Sequence, residues 1–140
     1  MKIAIVYWSG TGNTEAMAQA VAEGVTGGGA QPEVLPSAAF DEALLGEFDA
    51  IAFGCPAMGA EVLEEAEFEP LFSNCLPYLA GKPVGLFGSY GWGDGEWMRQ
   101  WQQTCADAGV KLVAGGVICC GYPDDEALEQ CRSLGRALAN

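Results

Sequence analysis

The first 25 residues hold a run of apolar, largely β-branched residues, then a loop made only of small and polar side chains, then a helical pattern. Lys2–Tyr7 (KIAIVY) has no helical periodicity and suits a strand buried on both faces. Residues 13–25 follow with Met17, Ala18, Val21 and Val25 on one helical face, stopped by Gly27-Gly28-Gly29. Between them lie Ser9, Gly10, Thr11, Gly12, Asn13 and Thr14. Such a strand–loop–helix junction lets backbone N–H groups converge on an anion at a helix N-terminus, with three hydroxyls and an amide as further donors. No lysine follows, so it is not a nucleoside-triphosphate loop, and Glu15 replaces the third glycine of a dinucleotide fingerprint. A neutral cradle suits a terminal monophosphate ester; the alternative is a tight turn into a helix.

The rest of the chain repeats this alternation. Strands are expected at 32–36, a sheet edge because prolines bound it, and at 49–54, 83–89 and 110–120, the last interrupted by Gly115-Gly116. Helices are expected at 67–79, 95–108 and 124–139, with a short one at 43–46. Pro70 falls in a first turn, where its missing N–H does little harm, and Trp97, Met98, Trp101 and Cys105 form an apolar stripe. Five strands each followed by a helix make a three-layer α/β domain with a parallel sheet, and 140 residues are enough for one such domain. Ligands of such sheets bind at the carboxyl ends of the strands, which singles out loops 8–14, 55–66, 89–95 and 121–124.

Charge and composition exclude much else. Nineteen acidic against six basic residues give a net charge of −13, which disfavours nucleic acid and anionic membrane surfaces. With no histidine there is no His-based triad or imidazole metal site. The apolar stretch after Met1-Lys2 runs only from Ile3 to Trp8, short of a secretory core or a spanning helix, so a cytoplasmic location is expected. The six cysteines lack ligand-like spacing and read as buried free thiols. A cysteine phosphatase would need an arginine six residues beyond its nucleophile, but Glu61 follows Cys55 and Glu126 follows Cys120.

Two later loops complete a binding edge. Cys55-Pro56-Ala57-Met58-Gly59-Ala60-Glu61 follows one strand, and Ser89-Tyr90-Gly91-Trp92-Gly93-Asp94-Gly95 follows the next. Trp92 stands between glycines outside any periodicity, which favours stacking on a planar group over a core or interface role. Trp97 and Trp101 fit the helix stripe and belong to the core; Trp8 fits either role, as does Tyr122.

In these motifs, Tyr7 to Glu15, Gly54 to Gly59 and Leu86 to Gly93, the sequence resembles the short-chain flavodoxins of anaerobic bacteria over essentially its whole length. The resemblance implies a doubly wound five-stranded parallel sheet of strand order 2-1-3-4-5 carrying non-covalent FMN. It implies a monomeric low-potential one-electron carrier, cycling between semiquinone and hydroquinone, that serves redox partner proteins. Ser9 to Thr14 would hold the phosphate, with Ser89 near the phosphate or ribityl chain. Met58 and Trp92 would flank the isoalloxazine, within the stretches Pro56 to Glu61 and Ser89 to Gly93. Glu61 would accept from flavin N3–H, backbone N–H groups of the 89–93 loop, Ser89, Tyr90, Gly91, Trp92 and Gly93, would serve the pyrimidine oxygens, and the Gly59 carbonyl would turn toward N5. Where the family commonly has Asp, Asn, Ser or Gly, this chain has Ala60. The flipped turn asks that residue for a positive φ, at ~1 kcal/mol for Ala, or on the order of 40 mV less stabilisation of the singly reduced flavin.

Glu61, Glu64, Glu65, Glu67 and Glu69 crowd one loop of this edge, with Asp94 and Glu96 on the next. Each charge ~10 Å away opposes a further electron by ~0.4 kcal/mol in a water-like dielectric, and the same field would steer basic-faced partners. A solvated face serving solubility is the bland alternative. An FMN-dependent quinone reductase is the competing function, but no insertion walls a substrate pocket and no histidine can donate a proton.

Overall fold

A computed structural model describes all residues 1–140. Strand β1 (Lys2–Tyr7) leads to helix α1 (Asn13–Gly27) and strand β2 (Gln31–Pro36). Strand β3 (Ala50–Gly54), helix α2 (Phe68–Cys75) and strand β4 (Val84–Tyr90) follow, then α3 (Glu96–Asp107), β5 (Val117–Cys120) and α4 (Asp125–Leu138). The strands form one parallel sheet in the order β2-β1-β3-β4-β5, as the resemblance implies.

Alternation along the buried strands builds two cores. Ala4, Val6, Ile51, Phe53, Val84 and Leu86 face α2 and α3, where Phe68, Phe72, Trp97 and Trp101 pack. Ile3, Ile5, Ala50, Ala52 and Phe87 face α1 and α4, meeting Met17, Val21, Cys131 and Leu134. On that second side the two helices all but touch: a Cβ on Gly24 would lie 1.9 Å from the Arg132 carbonyl oxygen, and one on Gly135 2.1 Å from that of Val21.

Three of the expected elements and the expected burial of the cysteines need correction. The 67–79 helix is α-helical only to Cys75 and continues as a 3₁₀ turn over Leu76–Tyr78, because Pro77 has no N–H to bond back to Ser73. The short helix at 43–46 is a 3₁₀ turn, Glu42–Glu47, begun by the Asp41 carboxylate, which accepts from the Ala43 N–H; β2 is therefore not followed by an α-helix. The last strand begins only at Val117. Before it, Leu112 makes one bridge to Val84, and the chain then passes so close to α3 that a Cβ on Gly116 would meet Met98 at 2.4 Å. The cysteines are all free thiols, but only Cys55, Cys75, Cys105 and Cys131 are buried; Cys119 is half-buried and Cys120 exposed.

Candidate functional site

The chain leaves β1 toward β2 on one side and returns to β3 on the other, so a crevice opens above the carboxyl ends of β1 and β3. There a cleft of about 280 Å³ is lined by Gly10, Thr11 and Asn13, by Pro56, Ala57 and Met58, and by Ser89, Tyr90 and Gly91. All three expected loops contribute. Trp8 and Gly121 also line it. Trp8 fits either role in the sequence, and Gly121 begins the 121–124 loop that the sheet edge singles out, although the sequence gives that glycine no role of its own.

The first loop is shaped by its own side chains. Ser9 Oγ accepts from the Gly12 N–H at 3.0 Å and from the Glu15 N–H at 3.4 Å, and Gly12, at φ 95°, opens α1. This uses two of the loop's donors internally, while the N–H groups of Gly10, Thr11, Asn13 and Thr14 have no acceptor in the protein. Beneath them Thr14 is 1 % exposed and its hydroxyl has no hydrogen-bond partner. A buried unsatisfied hydroxyl beside unpaired helix N–H groups is the donor set of an anion site.

The second loop is a hairpin in miniature. Met58 and Val62 exchange hydrogen bonds at 2.8 and 3.1 Å around Gly59, Ala60 and Glu61. The left-handed residues are Gly59 (φ 38°) and Glu61 (φ 56°), whereas Ala60 does not have a positive φ. The conformation expected of Ala60 for the flipped turn is thus absent from this arrangement, and the left-handed strain falls on Glu61. That residue also holds a buried carboxylate oxygen, Oε1, with no partner. The whole loop is braced from below, where Trp97 Nε1–H donates to the Cys55 carbonyl at 3.1 Å and Ala57 N–H to that of Ser89 at 3.0 Å. Trp97 is therefore a core residue, as expected, and a brace for the site. Burial pushes the Cys55 thiol up to about 12, so it remains a neutral packing group.

In the third loop, Ser89 is buried and its hydroxyl donates to the Gly121 carbonyl at 2.5 Å, tying β4 to the loop after β5. Tyr90 leans on Trp97 with ring centroids 5.6 Å apart. Trp92 is 64 % exposed, which excludes the core reading, and Gly91 and Gly93 beside it are open to solvent. Trp101 is core, as its spacing implies. Tyr122 is 69 % exposed and lines a groove over β5 and α4 rather than the cleft.

Glu64 departs from its expected place in the acidic face. It is buried, and its carboxylate accepts from the N–H groups of Ala66 at 3.0 Å and of Glu67 and Phe68 at 2.8 Å. Burial works against the anion, but the three backbone bonds outweigh it and hold the carboxyl below its ordinary range. Glu64 thus organises the start of α2 and adds no solvated charge.

A parallel doubly wound sheet with unpaired donors after its first strand, an aromatic-rimmed cleft at its switch point and no cation in the cradle defines a mononucleotide-binding α/β protein. Comparison with known proteins narrows the class: the flavodoxin family model matches residues 5–135, and the chain belongs to that family. It is 46 % identical to the flavodoxin of Megasphaera elsdenii over 98 % of both chains, and 46 % identical to that of Clostridium beijerinckii over 97 % of this chain and 98 % of the other. The solution structure of the two-electron reduced M. elsdenii flavodoxin superposes with a TM-score of 0.88, at 45 % identity and 98 % coverage of both chains. Flavodoxins are FMN-binding electron carriers, so this chain is an electron carrier rather than an enzyme, and FMN is its cofactor. The residues fit that group: the orphaned Thr14 hydroxyl and free N–H groups suit a phosphate, and the unpaired Glu61 oxygen suits a ring N–H.

Proposed function

We propose that FMN lies in the 280 Å³ cleft with its phosphate in the Ser9 to Thr14 loop, and that the 140 residues act as one monomeric domain carrying electrons at low potential in the cytoplasm. The observation that carries the reading is the Thr14 hydroxyl, buried and unpartnered beneath four free N–H groups. When bound, FMN supplies the redox chemistry, taking up and releasing electrons one at a time.

The chain's own residues then have distinct tasks. Gly10, Thr11, Asn13 and Thr14 donate to the phosphate without a metal or a cation. Glu61 Oε1 accepts the pyrimidine N–H, and the backbone from Tyr90 to Gly93 donates to the ring oxygens. Met58 and Trp92 cover the two ring faces and keep water from them. Pro56, Ala57, Gly59 and Ala60 shape the edge at which the ring takes or loses a proton. Ser89 holds the 121 loop against this constellation through its bond to Gly121.

Partner choice follows from the distribution of charge. Lys2 opens β1, Lys82 precedes β4 and Lys111 adjoins the Leu112–Val84 bridge, so all three lie at the opposite edge of the sheet. Arg99 is paired with Asp94 and Glu96, and Arg132 and Arg136 with Glu23 and Glu129. The flavin edge is left with Glu61, Glu65, Glu67 and Asp124 to Glu126 and no free cation. This field opposes the second electron and attracts basic faces of redox proteins.

Titration of the apoprotein with FMN, FAD and riboflavin, read by quenching of flavin fluorescence, tests the cradle. Several charge-assisted bonds to phosphate predict FMN tighter than riboflavin by about two orders of magnitude or more. Equal affinities would overturn it. Electron transfer to a basic haem protein should slow as salt screens the field, and a rate indifferent to salt would refute the basic-faced partner.

A further inference from the structure

We propose that the groove between the chain after Glu61, α2 and α3 seats a single arginine or lysine side chain from a redox partner protein. The inference rests on the reading that such partners present basic faces. The groove encloses about 410 Å³, more than the flavin cleft, and shares no lining residue with it. Val62 and Leu63, lying over the buried Phe72, Trp97 and Trp101, supply its apolar wall, and Glu65 and Glu69 supply carboxylates. Glu61, given above to the flavin, ends the groove on the cofactor side and so joins the two sites.

An apolar wall beside carboxylates favours an organic cation on an aliphatic stem over an apolar guest or a bare metal ion. No basic residue of this chain lines the groove, since Arg99 on α3 is held by Asp94 and Glu96. One carboxylate is already oriented: Ser73 Oγ–H donates to Glu69 Oε1 at 2.7 Å.

A second observation specifies more than charge. Trp101 is 2 % exposed and its Nε1–H, a donor only, has no partner. A basic residue within a polypeptide offers both groups this groove lacks, a cation for Glu65 and Glu69 and a peptide carbonyl for the indole N–H. A small inorganic cation offers only the first. A side chain seated there would stand next to Glu61 and hence beside the flavin, fixing the partner's register as well as its approach.

The test uses the FMN-loaded, ¹⁵N-labelled protein titrated at constant ionic strength with N-acetyl-L-arginine amide. N-acetyl-L-citrulline amide, which keeps the shape and the carbonyl but not the charge, is the control. The Trp101 indole N–H resonance should shift saturably with the arginine derivative. Affinity should fall roughly three- to tenfold for the citrulline derivative and for a Glu65→Gln/Glu69→Gln variant, whose FMN affinity stays unchanged. An equal response to citrulline, an unchanged response in the variant or no saturable shift each overturns the groove. Salt dependence of electron transfer to the basic haem protein separates the two readings. If it persists while the titration is silent, the groove falls and the basic-faced partner stands; if it is missing as well, both fall.

Discussion

The carboxylate of Glu61 lies so close to the α-carbon of Gly93 that a Cβ there would sit 2.5 Å from both its carboxyl carbon and Oε1. Two loops from different strands thus meet through one acidic side chain and the lack of another side chain. Gly93 has φ 87°, so Gly93→Ala carries two penalties, left-handed strain of ~1–2 kcal/mol and displacement of Glu61. FMN affinity is expected to drop by at least about tenfold. In a Glu61→Gly background only the strain remains, so the same substitution should then do less. Equal effects in both backgrounds, measured by flavin fluorescence, would separate Gly93 from Glu61.

Thr14→Val replaces an unpartnered buried hydroxyl with a methyl group of similar shape. The apoprotein should be unchanged or slightly more stable in urea, because nothing is lost and a desolvated polar group is removed. FMN binding should weaken by ~1–2 kcal/mol, while riboflavin binding, which lacks the phosphate, should not move. A parallel loss for both flavins would place Thr14 under the ring system instead.

Most of the architecture was legible because strand and helix periods differ sharply in this chain. Ile3 to Tyr7 and the 97–105 stripe admit one reading each. What the sequence hid is where one residue answers to a distant one. Glu64 looks like its acidic neighbours until the start of α2 folds back on it, and nothing local marks it as buried. Gly116 reads as a strand interruption, but its cause is Met98, 18 positions earlier, and the Gln102 side chain that accepts its N–H at 2.6 Å. In the site, Ser9 and Ser89 were visible as hydroxyls, but that they bond the protein itself depends on Gly12, Glu15 and Gly121 being within reach.

The approach of α1 to α4 is set by two glycines and makes a stability prediction independent of the cofactor. A methyl group on Gly135 would penetrate the Val21 carbonyl at 2.1 Å, and rigid backbone cannot yield as a side chain tip does. Gly135→Ala should therefore destabilise by ~3 kcal/mol or more, at the upper end for overpacking. Gly27→Ala, with nothing within 4 Å, is the control and should be neutral or mildly stabilising in the same urea titrations. A loss below 1 kcal/mol in Gly135→Ala, on the scale of ordinary surface changes, would mean the helices can separate freely.

Ala60 gives a prediction on the potentials. Between left-handed Gly59 and Glu61 it is the one loop residue without a positive φ, so any flip of the 59–60 peptide must move it into the region alanine disfavours. Ala60→Gly removes ~1 kcal/mol of that penalty, which raises the potential of the first one-electron step by on the order of 40 mV. Spectroelectrochemical titration of the FMN-loaded variant measures it, and an unchanged potential would show that residue 60 keeps its conformation throughout the cycle.

Glu64 links fold stability to pH with a definite sign. Its folded carboxyl titrates below the ordinary value of 4.5 because the bonds from Phe68, Glu67 and Ala66 outweigh burial. The unfolded chain therefore takes up a proton first as pH falls, and the stabilisation, complete above about pH 5.5, drains away through the folded value. Glu64→Gln keeps the size but replaces a full acceptor with an amide that cannot serve three N–H donors. At pH 7 the variant should be less stable by ~1.5–3 kcal/mol, the range for bonds to a charged group. Because the wild-type advantage depends on the anion, the gap between the two proteins should narrow steadily below pH 4.5. Urea midpoints of the pair at pH 7, 5, 4 and 3 check this, and a gap that stays constant would mean the carboxyl's contribution is one of packing rather than charge.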